Sequence, residues 1–274
     1  MRRFLLAAAI AVLGTASVQA ADLAAHYAKA PMMATAYSWT GFYVGGNVGG
    51  QWGSANAATT TLDPPLTYFA TSSVPVIAAV GAQRINSSSV TGGFTAGYNW
   101  QVNNAVFGLE GDINYFGFKG GASGSAIYPC CAPTSFTINS QVSADWLATI
   151  RGRIGFIATP SWLIYATGGV AIADVKGNFN FTDTFAAATE SGAIRDTRVG
   201  WTAGVGGEYA VGNGWSLKAE YLYVDLGRVG MTSNDLFAGI ARPTQTFNHS
   251  FDITSNIVRV GVNYKFGGPV VARY

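Results

Sequence analysis

Eight stretches of this chain place apolar residues at every second position, a period that suits strands and no helix. Val90, Phe94, Ala96, Tyr98 and Trp100 take one face against Thr91, Thr95, Asn99 and Gln101. Phe107, Leu109, Ile113 and Tyr115 oppose Glu110, Asp112 and Asn114, and Trp146, Ala148, Ile150, Ile154 and Phe156 oppose Thr149, Arg151 and Arg153. Val199, Trp201, Ala203, Val205, Tyr209 and Val211 lie against Arg198, Thr202 and Glu208. Trp215, Leu217, Ala219 and Tyr221 alternate with Ser216, Lys218 and Glu220. Val258, Val260, Val262, Tyr264 and Phe266 alternate with Arg259, Asn263 and Lys265. The first stretch (Gly41 to Gly53) and the fifth (Trp162 to Val175) complete the eight. The fifth is nearly apolar on both faces, and Trp162 sets its phase with Ile164, Ala166, Val170 and Ile172.

The connections decide the architecture. Short links follow strands two, four and six: Val102-Asn103-Asn104-Ala105, Ala158-Thr159-Pro160-Ser161 and Gly212-Asn213-Gly214, all rich in turn residues. Longer ones, of about 36, 24, 20 and 23 residues, follow strands one, three, five and seven. Strict alternation of short and long predicts an all-β fold: a transmembrane antiparallel up-and-down β-barrel of eight strands, with short periplasmic turns and four long extracellular loops.

Composition supports this reading against a soluble sandwich or barrel. Only 11% of residues are charged, against about 25% in ordinary soluble domains, while 49% are hydrophobic. After the first twenty residues no run of about 18 apolar residues appears, so helices are not the spanning elements. Trp39, Trp100, Trp162 and Trp215 fall at ends adjoining short turns, and Trp52, Trp146 and Trp201 at ends adjoining long ones. All but Trp39 share the phase of their strand's apolar face. Indole rings gather where hydrocarbon meets wet headgroups, so Trp52, Trp100, Trp146, Trp162, Trp201 and Trp215, with Tyr264 and Phe266, form the expected aromatic girdle.

If the apolar faces meet lipid, the polar faces point inward. Five acids (Glu110, Asp112, Asp145, Glu208, Glu220) and six bases (Arg151, Arg153, Arg198, Lys218, Arg259, Lys265) take inward phases, mostly towards the turn ends. An eight-stranded barrel is just wide enough inside for side chains to fill, so these charges predict a salt-bridged plug in the periplasmic half. Glu110 and Glu220 with Arg151 and Arg259 are its leading pairs. A charge-lined pore is the rival arrangement.

The start of the chain reads as an address. Met1-Arg2-Arg3, the apolar core Phe4 to Gly14 and Val18-Gln19-Ala20 make up a secretory signal peptide over residues 1–20. Residues 21–38 then read as a periplasmic lead-in, 39–266 as the barrel and 267–274 as a short periplasmic extension. Removing Arg2 and Arg3 leaves fourteen basic against fourteen acidic side chains, which offers no electrostatic case for nucleic acid. No cofactor or metal motif is visible. His249 adjoins Ser250, with Asp252 nearby, but neighbours on a strand point to opposite faces, so no catalytic pair is expected; His26 lies in the lead-in. Cys130 and Cys131 sit together in the second long loop. After export they could pair with each other, bridge to another chain or stay free, and a loop disulfide is favoured. The apolar run Val74 to Val80 would extend a hairpin or touch a partner, and Pro75 argues against a ninth crossing strand.

The stretch Tyr37-Ser38-Trp39-Thr40-Gly41-Phe42-Tyr43-Val44-Gly45-Gly46-Asn47 resembles the first strand of the outer-membrane immunogenic proteins, small porin-like, OmpA-like barrels of alpha-proteobacteria. The tail Val258-Arg259-Val260-Gly261-Val262-Asn263-Tyr264-Lys265-Phe266 is similar to their closing strand, and Tyr264-x-Phe266 to the signal read by the barrel-insertion machinery. One departure is that such proteins commonly stop at the Phe, whereas this chain continues to Tyr274. The resemblance implies an abundant envelope protein that supports outer-membrane integrity and is exposed as an antigen, with outer-membrane lipid and lipopolysaccharide around it and no enzymatic activity. A small-solute channel and a surface adhesin are the alternative roles.

Overall fold

A computed structural model of the protein describes residues 37–62, 68–239 and 244–267. The expected signal peptide, all but the last two residues of the lead-in, and all but the first residue of the C-terminal extension lie outside them. Eight antiparallel strands close in sequence order: β1 (Gly41–Thr61), β2 (Gln83–Val102), β3 (Ala105–Ile127), β4 (Ser135–Thr159), β5 (Trp162–Asp183), β6 (Thr189–Gly212), β7 (Trp215–Ser233) and β8 (Phe247–Lys265). β8 pairs back onto β1, from Tyr43 against Lys265 to Thr61 against Phe247, so the ring has no open edge at its turn end. Three tight turns join β2–β3, β4–β5 and β6–β7. The last is built on Asn213 and Gly214, with φ of 52° and 83°, the left-handed pair that a two-residue hairpin with the native strand twist requires.

The pleat sorts the side chains. Val48, Phe94, Leu109, Ile113, Ile150, Ile154, Ile164, Val205 and Val260 are exposed on the outside, and the polar partners of these strands are buried within. A soluble protein shows the reverse. Such an exterior is stable only in contact with hydrocarbon.

The long connections are shorter than the sequence predicts. The strands run 19 to 25 residues, well past the roughly 9–11 needed for a tilted crossing, and the connections left between them are 62–82, 128–134, 184–188 and 234–246. Segments such as Gly120 to Ile127 look loop-like because they are rich in Gly and Ser, yet they keep a period of two and continue their ladder with β4. The run Val74 to Val80 is neither a hairpin extension nor a strand. It forms the helix α1 (Val74–Gly81), with Pro75 in its first turn, where a missing N–H costs nothing.

Above the apolar band the barrel divides. The β2–β3 ladder stops at Gly92 opposite Tyr115, and the β6–β7 ladder stops at Trp201 opposite Asp225. The other ladders continue, leaving two four-stranded sheets, β7-β8-β1-β2 and β3-β4-β5-β6, face to face. Phe116, Phe118, Leu147, Phe179, Leu222, Phe251 and Ile257 fill the space between them. Phe69, Ile77, Phe136, Phe181, Leu236 and Phe247 close the top. There Asp183 accepts hydrogen bonds from the hydroxyls of Tyr68 (2.7 Å) and Tyr128 (3.0 Å) and from the amide of Ala188 (2.9 Å). Burial, together with this carboxylate, pushes both phenols well above their usual range.

One expected interior charge is displaced. A bulge at Asp145–Trp146 breaks the alternation of β4, so Leu147, Thr149, Arg151 and Arg153 point inward below it and Val142 and Ala144 above it. Asp145 therefore faces out, 63% exposed, and is bonded to Lys176 Nζ at 2.7 Å. The extra residue in a bulge shifts the pleat by one, which a strict period of two cannot anticipate.

Candidate functional site

The turn-end half of the interior holds an ionic cluster built by cross-strand register. Glu110 on β3 lies directly opposite Arg151 on β4, Glu208 on β6 opposite Lys218 on β7, and Glu220 on β7 opposite Arg259 on β8. Since the pleat turns all of them inward, pairing the strands assembles the cluster. Arg151 is the hub. Its guanidinium reaches Glu110, then Asp112 Oδ2 at 2.7 Å and Glu220 Oε1 at 3.1 Å, while its Nε donates to Thr149 at 2.9 Å. Arg259 bridges Glu220 (2.6 Å) and Asp112 (3.2 Å). Arg153 meets Glu208 at 2.9 Å, and Lys218 Nζ lies 3.0 Å from Glu110.

Four carboxylates thus face four cations, and no side chain among the eight is more than 4% exposed. The remaining lone pairs are largely taken up. Tyr43 donates to Glu110 at 2.7 Å, Tyr165 to Glu220 at 3.0 Å, Thr149 to Asp112 at 2.7 Å and Asn263 to Glu208 at 3.0 Å. Arg153 also lies over the Tyr165 ring, 3.9 Å from its centre. The two tyrosines escaped the charge-based reading, although both sit on inward phases beside glycines. A Cβ on Gly97 would stand 2.5 Å from the Tyr43 hydroxyl, and one on Gly206 equally close to the Tyr165 ring. Bare backbone is what lets each ring cross the lumen.

Arg198 does not belong to this cluster. It lies above the Trp201–Asp225 junction, bonded to Asp196 at 3.2 Å and to the Arg228 carbonyl at 2.6 Å, because the inward phase of β6 continues past the point where β7 leaves it. Lys265 sits at the turn-end rim, where Nζ donates to the carbonyls of Thr40 and Gly267 and faces the Tyr37 ring. Trp39 is buried and closes the turn end from inside with Val106, Leu163 and Tyr165. Among the expected girdle residues, Trp52, Trp100, Trp162, Trp201, Trp215 and Phe266 are exposed outward, while Trp146, at the bulge, and Tyr264, beside Trp215, are half-buried. Cys130 and Cys131 are disulfide-bonded to each other. His249 is buried between the sheets and meets Thr59, Glu190 and Ser233; Ser250 and Asp252 lie on the alternate phase of β8 and are half-buried. Among the described residues no cluster of His, Cys, Asp and Glu fits a metal ion.

Residues 8–266 match the family profile described as the outer membrane protein beta-barrel domain. The 31 kDa outer-membrane immunogenic protein of Brucella melitensis is 34% identical over 262 residues, covering 94% of this chain and 98% of its own. The 25 kDa outer-membrane immunogenic protein of Brucella abortus is 28% identical over 234 residues, covering 85% and 82%. Among solved structures, the outer membrane protein OprG from Pseudomonas aeruginosa aligns with a TM-score of 0.43 at 11% identity, over 82% of this chain and 97% of that one. The lipid-facing exterior, the closed ring, the family profile and the Brucella melitensis relative agree: the chain is an outer-membrane protein and belongs to the outer membrane beta-barrel family of the immunogenic proteins.

Proposed function

We propose that this protein is a structural barrel of the outer membrane, supporting the envelope and presenting its loop-end sandwich to the exterior, and that its lumen is plugged rather than conducting. The observation that carries the reading is the balanced ionic cluster. A pore lined for selectivity leaves charges facing water, whereas here every charge is matched and buried. The strand-built, aromatic-filled loop end supports the same view, since it stacks a second packed layer above the plug. The His249 ring nitrogens are engaged inside the wall, which favours a structural use over a catalytic one.

In this reading the apolar exterior takes outer-membrane lipid. Lys119, Ser143, Lys176 and Arg195, aligned across β3 to β6 just beyond the aromatic boundary, face the phosphorylated headgroups of lipopolysaccharide. Tyr264 and Phe266 on the closing strand serve the insertion machinery. The test is planar-bilayer recording of the purified full-length protein. The expected trace is free of unitary steps, and a steady single-channel current would overturn the plug in favour of a small-solute channel.

A further inference from the structure

We propose that Glu190, Ser233, His249 and Thr59 form a clasp that locks the two loop-end sheets together across the β6–β7 seam. Between the Trp201–Asp225 pair and the Thr189–Phe237 bridge, no backbone pairing among the described residues joins β6 to β7. The bridge itself is a reciprocal pair of 2.8 Å bonds. Directly beneath it, Glu190 of β6 accepts a hydrogen bond from the Ser233 hydroxyl of β7, and its Oε1 lies 3.3 Å from Nε2 of His249 on β8. On the far side of the ring, Nδ1 is 3.0 Å from the Thr59 hydroxyl of β1. The tautomer with its proton on Nε2 satisfies both contacts, donating to Glu190 and accepting from Thr59.

Glu190 belongs to one sheet and Ser233, His249 and Thr59 to the other, so separating the sheets breaks both Glu190 contacts in one movement, while Thr59 holds the imidazole from within its own sheet. Phe179 of β5 stacks on the imidazole at 4.3 Å and holds its plane. The four residues are at most 5% exposed, in otherwise aromatic surroundings, and Glu190 Oε2 has no hydrogen-bond partner. Burying a carboxylate so poorly solvated is costly, and here its two bonds fix how the sheets meet. The other seam, β2–β3, is closed at separate points, by the Lys119 amide donating to Ser87 Oγ (2.9 Å) and Gln83 Nε2 donating to the Ile138 carbonyl (3.0 Å), with Ile85, Phe116 and Phe118 burying apolar surface behind it. Those bonds are scattered along their seam, whereas the two at β6–β7 converge on one buried carboxylate oxygen and can be released as a unit. The β6–β7 seam is therefore the one built to open, about the bulge between Asp225 and Gly227 where β7 leaves its neighbour.

Hydrogen exchange read by mass spectrometry on the full-length protein in lipid nanodiscs tests this. Glu190→Ala and His249→Ala should each speed exchange of residues 190–200 and 226–233 by about tenfold or more, since each removes at least one charge-assisted hydrogen bond to the carboxylate. Residues 83–91 and 116–127 at the other seam should stay unchanged, and the double variant should add little to either single one. Unaltered exchange at 190–200, or equal acceleration at both seams, would overturn the clasp. Should the alanine variants fail to assemble, Glu190→Gln and Ser233→Ala must show the same seam-selective rise in smaller degree, and its absence there is equally fatal.

Discussion

At the scale of single residues, the stability of the barrel's lower half turns on charges that cannot be removed one at a time. Arg151→Met leaves Glu110, Asp112 and Glu220 in a dry lumen with one shared cation fewer. The expected cost is about 3–5 kcal/mol, the usual penalty for stranding a buried partner. Urea unfolding of the refolded protein, followed by tryptophan fluorescence, measures it, and a change below about 1 kcal/mol would contradict the account. Gly97→Ala probes the packing of the same site without touching a charge. Its new methyl meets the Tyr43 hydroxyl, so the variant should lose about 1–3 kcal/mol through overpacking in the same assay. Residues at this scale were legible where they obey the pleat. Glu110, Arg151, Glu220 and Arg259 could be placed inside because their neighbours Leu109, Ile150, Tyr221 and Val258 are lipid-facing. Tyr43 and Tyr165 were not, because a tyrosine on an inward phase carries no charge to mark it.

At the scale of elements, what hid from the sequence was any break in the period. Asp145 shares the parity of Arg151 and Arg153, yet the bulge beside it turns it to the outside. Asp145→Cys should accordingly react in intact cells with a membrane-impermeant maleimide, while Leu147→Cys should not. Protection of both positions would show an unbroken pleat. The loop-end extensions of β3 to β6 were equally hidden, since their Gly, Ser and Asn content carries the signature of turns while their pairing is that of strands. Glu190 could not be linked to Ser233 and His249 from sequence at all, because only the meeting of two separate sheets brings it to them. The eight crossings themselves were plain, as lipid on one side and ions on the other force the longest uninterrupted alternation in the chain.

At the scale of the whole molecule, the fold inverts the arrangement of a soluble protein: apolar outside, neutralised charge within. Closure from β8 to β1 satisfies the backbone where hydrocarbon offers no partners, so the barrel should survive dodecyl sulfate until heated. Unboiled and boiled samples should therefore migrate differently on a gel, and identical migration would argue against a closed ring. The inversion can be tested most directly by photolabelling from within the bilayer, using a carbene probe carried on lipid acyl chains. The predicted result is modification of Ile150, Tyr221 and Val260 with Arg151, Glu220 and Arg259 untouched, and labelling of the second set in place of the first would contradict the account.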